Sequence, residues 1–122
     1  MKVLIIDDED DIRQIARFAL NKVAEWEVVD SGSAEEGVRL AASELPDAIL
    51  LDVLMPGMDG PAALAELKKN PATSAIPIVF LTARGLPEEI DRLKKSGAAG
   101  VITKPFDPMT LAEDMASILK GQ

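Results

Sequence analysis

The chain has 122 residues, no cysteine, no histidine and a net charge of −8. That length suits one domain with its own core over residues 1–122; the missing cysteine excludes disulfides and thiolate chemistry, and the missing histidine removes the commonest acid–base group. The acidity argues against direct nucleic-acid binding, and the lack of a signal-like N-terminus or a membrane-length apolar run leads us to expect a cytoplasmic protein with no membrane association.

Short apolar runs alternate with amphipathic stretches. Val3–Ile6 is the first run, and Ile12, Ile15, Ala16, Ala19 and Val23 then recur at helical spacing. Val28 and Val29 form a short second run, preceded by Trp26. Ser33 can cap a helix, with Glu36 three residues on and Val38, Leu40 and Ala41 following. Ala48–Leu51 is the third run. After the Gly57–Gly60 turn, Pro61 suits the first turn of a helix through Leu64 and Leu67, which Asn70-Pro71 ends. Ile78–Leu81, entered through Pro77, is the fourth run. Pro87 opens a helix through Ile90 and Leu93, closed at Ser96-Gly97. Val101-Ile102 is the fifth run, and Pro108 starts a last helix with Leu111, Met115, Ile118 and Leu119 as its apolar positions. The chain stops at Leu119–Gln122 straight after that helix, so no output domain is expected.

Strand-like runs alternating with helices imply an α/β fold with a parallel sheet covered on both faces. The first, third and fourth runs are continuous and apolar, as central parallel strands are; the second and fifth are short, as edge strands often are. This matches a doubly wound five-stranded sheet of order 2-1-3-4-5, the flavodoxin-like three-layer (βα)5 arrangement.

Each relevant run ends in a group that can do chemistry: the first in Asp7-Asp8, the third in Asp52, the fourth in Thr82, the fifth in Thr103-Lys104. In a parallel sheet these ends share one edge, and ligands bind there beside the switch point between strands 1 and 3. Three carboxylates crowded together repel one another unless a cation sits among them. Their hard oxygens favour Mg²⁺ or Mn²⁺. One acid is then left as a nucleophile able to form an acyl phosphate, with Lys104 and the Thr82 hydroxyl placed to steady phosphoryl oxygens.

Asp7-Asp8-Glu9, Asp52 with Met55-Pro56-Gly57-Met58-Asp59-Gly60, Thr82-Ala83 and Lys104-Pro105-Phe106 together resemble the receiver domains of two-component response regulators over the whole chain. The resemblance implies that Asp52 is the phospho-acceptor. It implies that Asp8 binds the metal directly, Asp7 mainly through metal-bound water, and that the Leu54 carbonyl completes the site. Thr82 and Lys104 would contact the phosphoryl group, and the Lys104–Pro105 bond would be cis. Phosphorylation would come from a histidine kinase or histidine phosphotransfer protein, and self-dephosphorylation would follow. The chain would be a signalling module rather than an enzyme. Val101 stands where the family often carries an aromatic ring or histidine three residues before the lysine, so switching by ring rotation is not expected.

Two other functions compete with this reading. A Mg²⁺ phosphatase with an aspartyl nucleophile commonly has a second acid two residues on, where this chain has Leu54. A receiver-like scaffold that is never phosphorylated would not need Asp7, Asp8, Asp52, Thr82 and Lys104 to converge. Asp10, Asp11, Glu88, Glu89 and Asp91 read as solvated helix acids, Asp30 as a surface acid, and Asp59 as turn chemistry. Phe18 lies about 240° around the first helix from Ile12, off its apolar stripe. In similar receivers this face packs on the helices bearing the donor histidine, so the resemblance implies that Ile12, Ile15, Phe18 and Phe106 meet the phosphodonor, with Phe106 closing the contact.

Overall fold

The computed structural model describes residues 1–121; Gln122, the end of the expected domain, lies outside the described residues. The elements follow in the order β1 (Lys2–Ile6), α1 (Asp10–Phe18), β2 (Glu27–Ser31), α2 (Ala34–Glu44), β3 (Ala48–Asp52), α3 (Gly60–Lys69), β4 (Ile78–Thr82), α4 (Pro87–Lys95), β5 (Gly100–Thr103) and α5 (Leu111–Lys120). The strands form one parallel sheet of order β2-β1-β3-β4-β5, as expected.

Side-chain alternation along the strands divides the core in two. Leu4, Ile6, Ile49, Leu51, Ile78 and Phe80 face one side and pack with Ala34 and Ala41 of α2, Leu64 and Leu67 of α3, and Leu93 of α4. Val3, Ile5, Leu50, Val79, Leu81 and Ile102 face the other and pack with Ala16 of α1 and with Leu111 and Met115 of α5. Strands β3 and β4 are buried at every position, which is why they read as unbroken apolar runs. No helix among the described residues is long and apolar enough to cross a membrane.

Four sequence expectations change. After Phe18 the first helix widens into a π-helical turn, Ala19–Val23. A π turn inserts extra rotation, so Leu20 is buried and Val23 is exposed, although Val23 was expected to face the sheet. The last helix begins at Leu111, not at Pro108: the Asp107 carboxylate accepts from the Met109 N–H at 2.8 Å and its carbonyl from the Leu111 N–H at 3.0 Å, forming a turn first. Strand β2 is as long as β1 because polar Glu27 and Asp30 also pair, which the Val28-Val29 run does not reveal. Ser33 caps α2 by accepting from the Glu36 N–H at 3.2 Å, but its own N–H goes to Ser31 Oγ and not to the Glu36 side chain.

Trp26 precedes β2 and is half-buried against the α1/α5 side of the core. It lies beside the start of β1, since Glu27 pairs with Lys2, and so at the sheet edge opposite Asp7. A Mg²⁺ titration is expected to leave its fluorescence unchanged, whereas urea unfolding changes it. Saturable quenching by Mg²⁺ would contradict this placement.

Candidate functional site

The C-terminal strand ends lie on one edge of the sheet. Asp7, Asp52 and Lys104 continue the alternation that sends Ile5, Leu50 and Ile102 to the α1/α5 side, so their side chains converge. Lys104 Nζ lies 3.0 Å from Asp7 Oδ2, 3.3 Å from Asp52 Oδ1 and 3.2 Å from Glu9 Oε1. Asp7, Asp8 and Asp52 each offer an oxygen within 4.8 Å of the others, with Asp8 exposed and its two companions buried. Asp7, Asp8, Asp52 and Lys104 are thus brought together as the sequence led us to expect, and the Lys104–Pro105 bond is cis.

Asp7 is held at most of its polar atoms. Its N–H donates to the Ser31 carbonyl at 3.1 Å, and its Oδ1 accepts from the Glu9 N–H at 2.9 Å. Its Oδ2 is buried and is paired with the Lys104 ammonium at 3.0 Å, with no further hydrogen-bond partner among the described residues. One ammonium does not balance the three carboxylates of Asp7, Asp8 and Asp52, whose oxygens lie within 4.8 Å of one another. That excess of negative charge, together with a donor set made only of hard oxygens, fits a divalent cation of the Mg²⁺ type.

Burial raises the Asp52 carboxyl to about 6; the Asp7 charge adds to the rise and Lys104 opposes it. For Lys104, burial disfavours the ammonium, but Asp7, Asp52 and Glu9 outweigh it and hold the pKa above its ordinary value. The site therefore holds a fixed cation beside a carboxylate that is poorly stabilised as an anion. Adding positive charge there favours the nucleophilic form of Asp52.

Thr82 ends β4, one position past the residue paired with Asp52 in the register. Its hydroxyl accepts from the Arg84 N–H at 3.0 Å, which ties it to the loop before α4. Leu54, whose carbonyl the resemblance assigns to the metal, is exposed in the loop after β3 and shares a groove with Thr82, Arg84 and Glu89. The loop turns back tightly: the Gly60 N–H donates to the Val53 carbonyl at 2.9 Å, and a Cβ on Gly60 would lie 2.4 Å from the Asp52 carbonyl oxygen. Asp59 caps α3 by accepting from the Ala62 N–H at 2.9 Å, in line with its reading as turn chemistry.

Other residues differ from their sequence readings. Glu9, to which the motif gives no role, is the third acid on Lys104. Its place directly after Asp7-Asp8 was the available signal. Asp30 is no free surface acid: it lies 3.3 Å from Arg13 Nε and 3.0 Å from Arg17 Nη1, tying β2 to α1. Glu89 is paired with Arg92, and its side chain is only 15% exposed. Ile15 and Phe18 are exposed, while Ile12 packs partly into the core. Phe106 is half-buried and lines a separate depression with Val101, Pro105 and Ile118. The loop residue beside Ile15 and Phe18 is Pro108.

Comparison with known proteins agrees with this geometry. A family model described as the response regulator receiver domain matches residues 3–116. Protein PilH of Pseudomonas aeruginosa is 34% identical over 122 residues, covering 98% of both chains. The probable transcriptional regulator ycf27 of Guillardia theta is 36% identical over 121 residues, covering 98% of this chain but 45% of its own length. The chain therefore spans about half of some curated relatives and nearly all of others. Among solved structures, the chemotaxis response regulator CheY4 of Vibrio cholerae superimposes with a TM-score of 0.89 at 32% identity, covering 96% of this chain and 97% of its own. A putative response regulator from Chloroflexus aurantiacus gives 0.88 at 34% identity, covering 98% and 97%.

Proposed function

The chain belongs to the response regulator receiver family of two-component systems, and from that membership we propose that Asp52 accepts a phosphoryl group from the phosphohistidine of a partner protein. The observation that carries this reading is the convergence of three carboxylates, Asp7, Asp8 and Asp52, beside the Lys104 ammonium. In the transfer, an Asp52 oxygen attacks phosphorus, the new P–O bond forms, and the donor's P–N bond breaks with the imidazole leaving. Asp8, Asp52 and the Leu54 carbonyl would hold Mg²⁺, or Mn²⁺, which supplies positive charge to the phosphoryl oxygens when bound. Asp7 would act on it mainly through bound water, Lys104 would meet one phosphoryl oxygen, and the Thr82 hydroxyl would donate to another once it leaves Arg84. The acyl phosphate is lost to water, so the chain catalyses only its own phosphorylation and dephosphorylation. A cytoplasmic location goes with this reading, because the donor must reach Asp52.

The test is incubation with acetyl phosphate and Mg²⁺. Mg²⁺-dependent incorporation that stops at one phosphoryl group per chain supports the receiver reading. Continuing turnover of an aryl phosphate would favour a phosphatase instead, and failure to label at all would favour a scaffold.

The partner is expected to be a histidine kinase or histidine phosphotransfer protein docking on α1. Phe18 is 55% exposed on a helix whose other face is in the core, and it shares an apolar depression with Ile15 and Pro108. Phe18→Ala is expected to slow transfer from the cognate donor roughly tenfold, a loss typical of one interface anchor. Labelling by acetyl phosphate should be untouched. If both reactions fall together, Phe18 supports the fold and does not serve docking.

With Val101 in place of a ring, signalling is expected to run through Thr82. Drawing its hydroxyl toward the phosphoryl group breaks the bond to Arg84 and frees the segment leading into α4. Amide exchange across residues 83–95 should change with a phosphoryl mimic. An unaffected segment, with changes confined to β2, would overturn this route.

A further inference from the structure

We infer that Arg13 is a positioning residue for the metal site: it fixes the peptide between Asp7 and Asp8 and thereby aims the Asp8 carboxylate. The inference rests on the reading of this site as a Mg²⁺ site. The Arg13 side chain is only 19% exposed, although it lies on the first helix of a strongly charged surface. Its Nη1 donates to the Asp7 carbonyl at 2.7 Å. Its Nη2 pairs with Asp10, and its Nε faces Asp30 Oδ2 at 3.3 Å. The guanidinium is thus held by one residue of its own helix and one of β2, and its remaining donor is aimed at the end of β1. Gly32 makes room for it: a Cβ there would lie 2.9 Å from Arg13 Nη1.

The consequence follows from the planarity of the peptide. The Asp7 N–H is fixed by Ser31 and its Oδ1 by the Glu9 N–H. Fixing the Asp7 carbonyl as well sets the plane of the Asp7–Asp8 peptide, and with it the direction in which Asp8 leaves the chain. Asp8 is exposed, so no packing aims it. Arg13 does not act through its charge. A cation near the acidic cluster would oppose Mg²⁺, and Asp10 and Asp30 already balance this one.

Geometry and charge therefore predict opposite signs, which makes the test sharp. Mg²⁺ affinity is measured by isothermal titration calorimetry on the unphosphorylated chain and its variants, with melting followed in parallel. Arg13→Ala is expected to weaken Mg²⁺ binding by about tenfold, the lower end of the effect of residues that orient metal ligands. Arg13→Lys, which can reach the carbonyl with one donor, should recover part of that loss. Arg17→Ala removes the other partner of Asp30 without touching Asp7, and should leave the affinity unchanged. Equal or tighter Mg²⁺ binding by folded Arg13→Ala overturns the inference, even if its melting point falls. Equal weakening in Arg17→Ala overturns it too, because the effect would then belong to the α1–β2 contact. If the unsubstituted chain binds no Mg²⁺, it is the metal-site reading itself that fails.

Discussion

Lys104→Ala is expected to lose most phosphoryl transfer and, in metal-free buffer, much of its stability as well. Lys104 stands against two buried carboxylates, with its own side chain 11% exposed and those of Asp7 and Asp52 at 0% and 6%. Removing one partner of such a cluster leaves uncompensated charge, a loss of about 3–5 kcal/mol in buried pairs. Asp52 can relieve part of this by taking up a proton, so about 3 kcal/mol at pH 8 is expected, or roughly 10 °C in melting temperature. Saturating Mg²⁺ should restore much of the stability, since a cation again lies among the acids. It should not restore transfer, because the group that meets the phosphoryl oxygen is gone; a loss of roughly 100-fold is typical for one such donor. Melting curves and acetyl phosphate labelling, each with Mg²⁺ and with EDTA, separate the two effects. Unchanged melting in EDTA would show that Lys104 does not neutralise the cluster.

Asp52→Asn is expected to have the reverse effect on the metal-free fold. The Asp52 carboxyl is raised to about 6, chiefly by burial. A raised carboxyl binds its proton more tightly in the folded state than in the unfolded one. Its ionisation therefore costs stability, and that cost is fully present above about pH 6, fades as the pH falls through 6, and is absent below the ordinary carboxylate value near 4. Asn cannot ionise. The variant should be more stable by about 2–3 kcal/mol at pH 8 in EDTA, with the gain vanishing near pH 4. Mg²⁺ should narrow the gap, because it stabilises the unsubstituted chain more. Urea unfolding at pH 8, 6 and 4 tests the sign. A variant less stable at pH 8 in EDTA would mean that the buried carboxylate supports the fold.

Both effects arise from residues that the sequence makes conspicuous, and there is a physical reason. Strands buried on both faces must be apolar along their length, so Val3–Ile6, Ala48–Leu51 and Ile78–Leu81 stand out, and the polar group ending each run marks the edge where ligands bind. The strand order matches a known doubly wound arrangement and is not fixed by run length, since β2 is as long as β1. What the sequence hid was set by geometry between elements. The π turn after Phe18 changes the phase of α1 by a rotation that no residue type announces, and it exchanges Leu20 for Val23 in the core. Arg13, Arg17 and Asp30 are ordinary surface charges until β2 and α1 are placed side by side. Phe106 and Pro108 are two residues apart, and only the turn at Asp107 decides that Pro108 is the one beside Phe18.

The central claim is that Asp52 carries the phosphoryl group. Its most direct test is to treat the protein with acetyl phosphate and Mg²⁺, trap the acyl phosphate by borohydride reduction, and locate the modified residue by peptide mass spectrometry. The account predicts a single modified position, Asp52, in the Mg²⁺ sample and none in EDTA. Modification at Asp7, Asp8 or a hydroxyl residue, or undiminished labelling of Asp52→Asn, would contradict it.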